Sequence, residues 1–142
     1  MNVLIRVMVE DDLHDVLQLW NATDGVGLNE SDTPARLAAF LLRNPGMSFV
    51  ALRESSVIGA VLCGHDGRRG YLHHLAVTAT ARGQGIGSAL VGRCLRALAA
   101  TGVEKCNIFV YEDNAAGRQF WERIGWSARM DLRMMQFRVH PS

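Results

Sequence analysis

Six residues set most of the limits on this chain: Arg82-Gly83-Gln84-Gly85-Ile86-Gly87. They lie between an apolar run, Leu75-Ala76-Val77, and an amphipathic helix predicted over residues 88–100. Glycine at alternate positions lets the backbone turn tightly, so that several N–H groups converge on one anion. The helix behind adds N–H groups without intrahelical acceptors and the positive end of its dipole. Such a loop suits a phosphate or diphosphate. The chain is therefore expected to bind a nucleotide-like cofactor.

Period and punctuation give the rest of the order. Residues 4–9 alternate as a first strand. Asp11-Asp12 opens a helix whose apolar face is Leu13, Val16, Leu17 and Trp20. Residues 21–32 are polar, contain Gly25 and Gly27, and read as a loop. Thr33-Pro34 starts a second helix striped by Leu37, Ala38, Leu41 and Leu42, which Asn44-Pro45-Gly46 stops. Three strands of a meander follow at 48–52, 57–64 and 71–77. After the glycine loop and its helix, Thr101-Gly102 ends the helical run. A strand is expected at 105–110, a helix at 114–124, and two closing strands at 126–129 and 132–139. The order predicts one α+β domain spanning 1–142. Its mixed sheet is mostly antiparallel, with helices on both faces and a central parallel strand pair.

Charge and composition remove several function classes. Fifteen Lys and Arg stand against fourteen Asp and Glu, and no basic run occurs. Nucleic acid and membrane surfaces are therefore not expected partners. No apolar stretch has the length of a bilayer span, and the N-terminus lacks the pattern of a signal peptide, so a cytoplasmic location is expected. Cys63, Cys94 and Cys106 are odd in number, widely spaced and without a CxxC. They read as reduced, buried thiols, and no cluster has the spacing of a metal site.

Two familiar phosphate loops fail on inspection. A Walker loop ends in Gly-Lys-Ser/Thr, whereas Gly87 is followed directly by Ser88. A dinucleotide fingerprint needs its third glycine where this chain has Ser88, directly after a strand; here residues 78–82 intervene. The loop instead resembles the signature of the GCN5-related N-acetyltransferases, Arg/Gln-x-x-Gly-x-Gly/Ala. Leu75-Ala76-Val77 matches the strand before that signature. The run from Asn114 through Phe120, Trp121 and Gly125 to Trp126 is similar to the family's following helix. The likeness spans nearly the whole chain and is closest to small single-domain bacterial members.

That resemblance implies an acetyl-CoA-dependent N-acetyltransferase acting on a primary amine by direct attack, with no metal. It places the cofactor diphosphate on the N–H groups of Arg82, Gly83, Gln84, Gly85, Ile86, Gly87 and Ser88. The two parallel strands would splay, leaving backbone groups of Leu75, Ala76 and Val77 for the amides of the pantetheine arm. Those groups would also polarise the thioester carbonyl. Asn114 would cap the last helix and bond the same arm, beside Trp121. A rival reading from another class is a non-catalytic module that binds acyl-CoA. A nicotinamide-binding fold is a third.

Catalytic candidates are fewer. Family members often carry tyrosine, as an acid, where this chain has Trp121, and some carry a basic glutamate where it has Phe109. An indole cannot protonate the departing thiolate, which leaves water or Tyr111. Tyr71 and His73 stand two apart on one strand and share a face, while His74 is expected on the other. His73 is the first choice of base and Tyr71 is grouped with it; a hydrogen-bonded structural histidine is the alternative. Glu112 is the second choice, or a solvated turn residue. The amine is expected to enter by loop 21–32, the second helix and the final hairpin. The acidity of that loop, with Asp24, Glu30 and Asp32, suits a cationic acceptor. The edges of the last strands invite a homodimer.

Overall fold

A computed structural model of the chain describes residues 2–140. Its apolar alternations pair into a sheet of five strands in the order β1-β2-β3-β4-β5. β1 (Val3–Val7) runs antiparallel to β2 (Phe49–Arg53), with Ile5 opposite Ala51. β3 (Ser56–His65) and β4 (Gly70–Val77) continue the meander. β5 (Cys106–Asn107) joins β4 in parallel, with Gly70 opposite Cys106. The mixed α+β sheet expected from the order of elements is present.

Neighbouring residues of β3 show which helix covers which face. Ala60 and Leu62 join a buried cluster with Val16 and Trp20 of α1 (Leu13–Asn21) and Leu37 of α2 (Pro34–Arg43). Gly59 turns to the opposite face, where an added Cβ would lie 3.1 Å from Leu90 of α3 (Ile86–Ala100). Since successive strand residues point to opposite faces, α1 and α2 lie on one side and α3 on the other.

The entry to α1 rests on a charge pair. Both terminal guanidinium nitrogens of Arg6 donate to Asp12 at 2.8 Å, and the Val9 N–H donates to the same carboxylate at 2.8 Å. The Arg6 hydrogen bonds hold the Asp12 carboxyl below its usual range; the Val9 N–H adds to this, and burial opposes it. A depressed folded pKa means stability that is present above the unfolded value of about 3.9 and is lost as pH falls through the lower folded value. Asp12→Asn is expected to cost about 1–2 kcal/mol at pH 7, the low end for charged hydrogen bonds, because Arg6 is 39% exposed. In urea unfolding the gap between variant and parent should close below about pH 4.

Two expected features differ. The strand predicted at 105–110 is reduced to Cys106–Asn107, and its pairing with β4 stops before a bulge at His74. Bulges bend the strand that carries them and interrupt its ladder. Among the described residues, 126–140 contain no strand. Met130, Leu132, Met134, Phe137 and Val139 are the kind of apolar residues that a strand would bury, but they are 61–90% exposed. Alternation becomes a strand only where one face is buried against neighbours. The parallel pair therefore ends the sheet, and the final hairpin expected to bound the acceptor and to carry a dimer edge is not formed.

By internal contacts the chain divides into two units, up to Tyr111 and from Glu112 onward. The second unit holds α4 (Ala115–Arg123). Among the described residues no helix is long and apolar enough to cross a membrane.

Candidate functional site

The glycine loop follows β4 through one 3-10 turn, Ala79–Ala81. Gly83 and Gly85 take left-handed backbone, φ 76° and 80°, and an added Cβ would meet nothing within 4 Å at either position. Conformation, rather than crowding, is what demands glycine there. Gly85 is the N-cap of α3, and no side chain caps that helix. By contrast, Thr33 caps α2 and Asn114 caps α4 through side-chain oxygens. The first amides of α3, from Ile86, Gly87 and Ser88, thus have neither an intrahelical acceptor nor a cap. The Ile86 side chain is buried in the core, so only its N–H is available.

Cationic groups flank the loop. The Arg82 guanidinium donates to the Val77 carbonyl at 3.1 Å, and Arg53 donates to Gln84 Oε1 at 2.7 Å. Uncapped amides, the dipole of a 15-residue helix and two guanidinium groups fit a diphosphate.

Beside the loop, β4 has an open edge, because β5 reaches only Gly70 and Tyr71. The Thr78 N–H bonds to Ile58 O at 2.8 Å, and Ala76 pairs with Ala60. Strand alternation then turns Ala76 toward β3 and Val77 toward the open edge. Upstream, Leu62 opposes His73 and Ala60 opposes Ala76, so His74 and Leu75 together face one residue, Val61. This is the bulge, and His74 occupies it with φ 58°.

The extra residue reverses the facing expected for His74. Instead of turning toward α3, it joins His73 and Tyr71 on the side of α1 and α2. Its ring stands edge-on to Trp20, centroids 5.0 Å apart, and its Nε2 lies 3.0 Å from Asp32 Oδ1. The second Asp32 oxygen accepts the Asn29 N–H at 3.0 Å. These side chains are 17% and 7% exposed. Neither His74 nor Asp32 had a specific role in the sequence reading. A register shift depends on the partner strand, and the carboxylate comes from 42 residues away.

His73 sits among rings. Tyr71 and Phe109 lie nearly parallel to it, centroids 6.3 and 6.5 Å away, and Phe40 stands edge-on at 6.3 Å. Burial pushes the His73 imidazole below its ordinary pKa; the neighbouring His74 adds to this and Asp32 opposes it. Tyr71 and His73 thus share a face as expected, at the start of the open edge. Tyr111 packs its hydroxyl against Gly27, where any side chain would collide with it.

Glu112 is exposed, and Asn114 Oδ1 accepts the Gly117 N–H at 3.0 Å within the second unit. Trp121 packs edgewise on Phe120 and Trp126, with centroids 5.2 and 4.9 Å away. Cys63 and Cys94 are fully buried. A hydrogen bond shared with Cys63 and burial both raise the Cys94 thiol, and burial pushes Cys106 up to about 12. A cavity of 430 Å³ lined by Glu10, His14, Gln18 and Pro34, among others, shares no residue with the loop or the β4 edge.

A model of the acetyltransferase (GNAT) family matches residues 13–126. An acetyltransferase of Yersinia pseudotuberculosis is 32% identical over 125 residues, covering 88% of each chain. One from Sodalis glossinidius is 30% identical over 135 residues, 95% of this chain and 94% of the relative. The PaiA N-acetyltransferase of Thermoplasma acidophilum, solved in complex with coenzyme A, superposes with a TM-score of 0.79 at 18% identity, over 91% of this chain and 92% of its own.

Proposed function

The chain belongs to the GNAT acetyltransferase family, and on that premise we propose that it moves an acetyl group from acetyl-CoA to a primary amine by direct attack. The observation that carries this reading is the uncapped N-terminus of α3 behind two left-handed glycines. The amides of residues 82–88 hold the diphosphate, and Arg82 and Arg53 add positive charge beside it. The open edge of β4 receives the amide-bearing arm as an added strand. Val77 offers its N–H there, and the arm replaces Arg82 at the Val77 carbonyl.

Acetyl-CoA supplies the acetyl group as a thioester, whose thiolate leaves when the amine nitrogen bonds to the carbonyl carbon. N–H groups at the open edge polarise that carbonyl. The rings of Tyr71, His73 and Phe109 give the acceptor side an apolar wall. Raised thiol pKa values at Cys94 and Cys106 argue against a covalent cysteine relay. A thiol leaving group of pKa about 8.5 departs without an acid, so the absence of a phenol at Trp121 is tolerable.

Primary amines of several classes, assayed with acetyl-CoA for free thiol, should give turnover with at least one. If acetyl-CoA bound but no amine released thiol, a binding module without catalysis would replace this reading.

A further inference from the structure

β4 carries two adjacent histidines, and among the described residues only His74 has a carboxylate to orient it. We propose that His74 is the base that takes the proton from the acceptor ammonium, and that Asp32 positions it. This rests on the acetyl-transfer reading above and replaces His73 in the role expected from the sequence.

The geometry is specific. A carboxylate only accepts, so the 3.0 Å contact requires a proton on His74 Nε2. In the neutral ring the lone pair is then on Nδ1, which has no partner among the described residues. Asp32 is itself held by the Asn29 N–H, and Trp20 braces the imidazole edge-on. A carboxylate that fixes the tautomer and steadies the imidazolium is the arrangement that makes histidine an effective base. The ring also stands on a residue with φ 58°, a backbone conformation costly for a non-glycine residue. That strain sits one residue before Leu75, at the start of the edge where the carbonyl is placed. His73, in contrast, is wrapped by Tyr71, Phe109 and Phe40 and acts as wall.

The proton count closes. His74 Nδ1 takes one proton from the ammonium, which frees the nitrogen lone pair. That pair forms the C–N bond while the carbonyl electrons move to oxygen. Their return breaks the C–S bond, and the second N–H proton goes to the leaving sulfur. His74 returns its proton to solvent.

The titratable groups facing His74 are Asp32, from the turn before α2, and His73 on its own strand; α1 presents Trp20. The test is the pH dependence of kcat/KM in the full chain, beside acetyl-CoA affinity by calorimetry. His74→Gln should lower kcat by about 10²–10⁴-fold, leave acetyl-CoA affinity within about twofold of the parent, and remove the acid limb of the profile. His73→Gln should keep that limb. Asp32→Asn should lower kcat while leaving acetyl-CoA affinity within about twofold of the parent, and the Nε2–H tautomer should no longer dominate in the nitrogen-15 spectra, because the carboxylate that fixes it is gone. An acid limb that survives His74→Gln and vanishes with His73→Gln would overturn the proposal. Nitrogen-15 spectra of the unaltered protein provide a readout independent of turnover: His74 should be the Nε2–H tautomer when neutral, and an Nδ1–H tautomer would refute the assignment. If the parent released thiol with no amine, acetyl transfer itself would fail and the base with it. An active parent with an unimpaired His74→Gln variant would sink only the base.

Discussion

Gly85→Val is expected to weaken coenzyme A binding about 100-fold while leaving the helical circular dichroism unchanged. Gly85 holds φ 80° at the N-cap of α3. An L-residue in left-handed backbone costs about 1–2 kcal/mol, and a β-branched one fits that region least well. The chain relieves this strain by rotating out of the left-handed well, which shifts the amides of Ile86, Gly87 and Ser88 away from the proposed diphosphate. Each charged hydrogen bond weakened in this way is worth about 1.5–3 kcal/mol. A net loss of about 2.8 kcal/mol is a hundredfold. The space around the missing Cβ is empty, so steric damage elsewhere in the chain does not account for the loss. Calorimetry on both proteins decides it; equal affinities would mean that the loop is only a turn.

Trp20→Ala carries the largest expected loss of stability, about 3–5 kcal/mol in urea unfolding. Trp20 is fully buried in the cluster that joins α1 and α2 to β3 and β4. Against a typical domain stability of about 5–15 kcal/mol, that is enough to leave a substantial unfolded fraction. Trp20→Phe should cost far less, about 1 kcal/mol. The indole Nε1 is buried with no hydrogen-bond partner among the described residues, so the smaller ring loses volume but also sheds an unsatisfied donor. Equal losses for the two variants would mean that the indole N–H has a partner, such as bound water.

What could be read from residues alone follows the range of the forces involved. Gly83 and Gly85, the apolar stripe of α1 and the cap at Asn114 are local, and each lies where its pattern indicates; of the stripe expected on α2, Leu37, Ala38 and Leu41 face the core, whereas Leu42 is 85% exposed and Phe40 packs inward. The start of α3 moved two residues earlier, to Ile86, because that side chain belongs to the core. The bulge is different: His74 enters it through the pairing of β4 with β3. Strict alternation therefore sent His74 to the wrong face and left Asp32 as one acidic residue of a polar loop. The segments at 105–110 and 126–139 show the opposite failure. Both are rich in apolar residues, yet β5 keeps two residues of pairing and the final segment has none.

Acetyl transfer as proposed requires the amides of the glycine loop to hold the diphosphate of coenzyme A. An amide-resolved nuclear magnetic resonance titration of the full chain with coenzyme A tests that contact directly. The largest shifts are expected on the N–H groups of Gly83, Gly85, Gly87 and Ser88, and pantetheine, which lacks the diphosphate, should leave them nearly still. Saturable binding of coenzyme A with those four amides unmoved would contradict it.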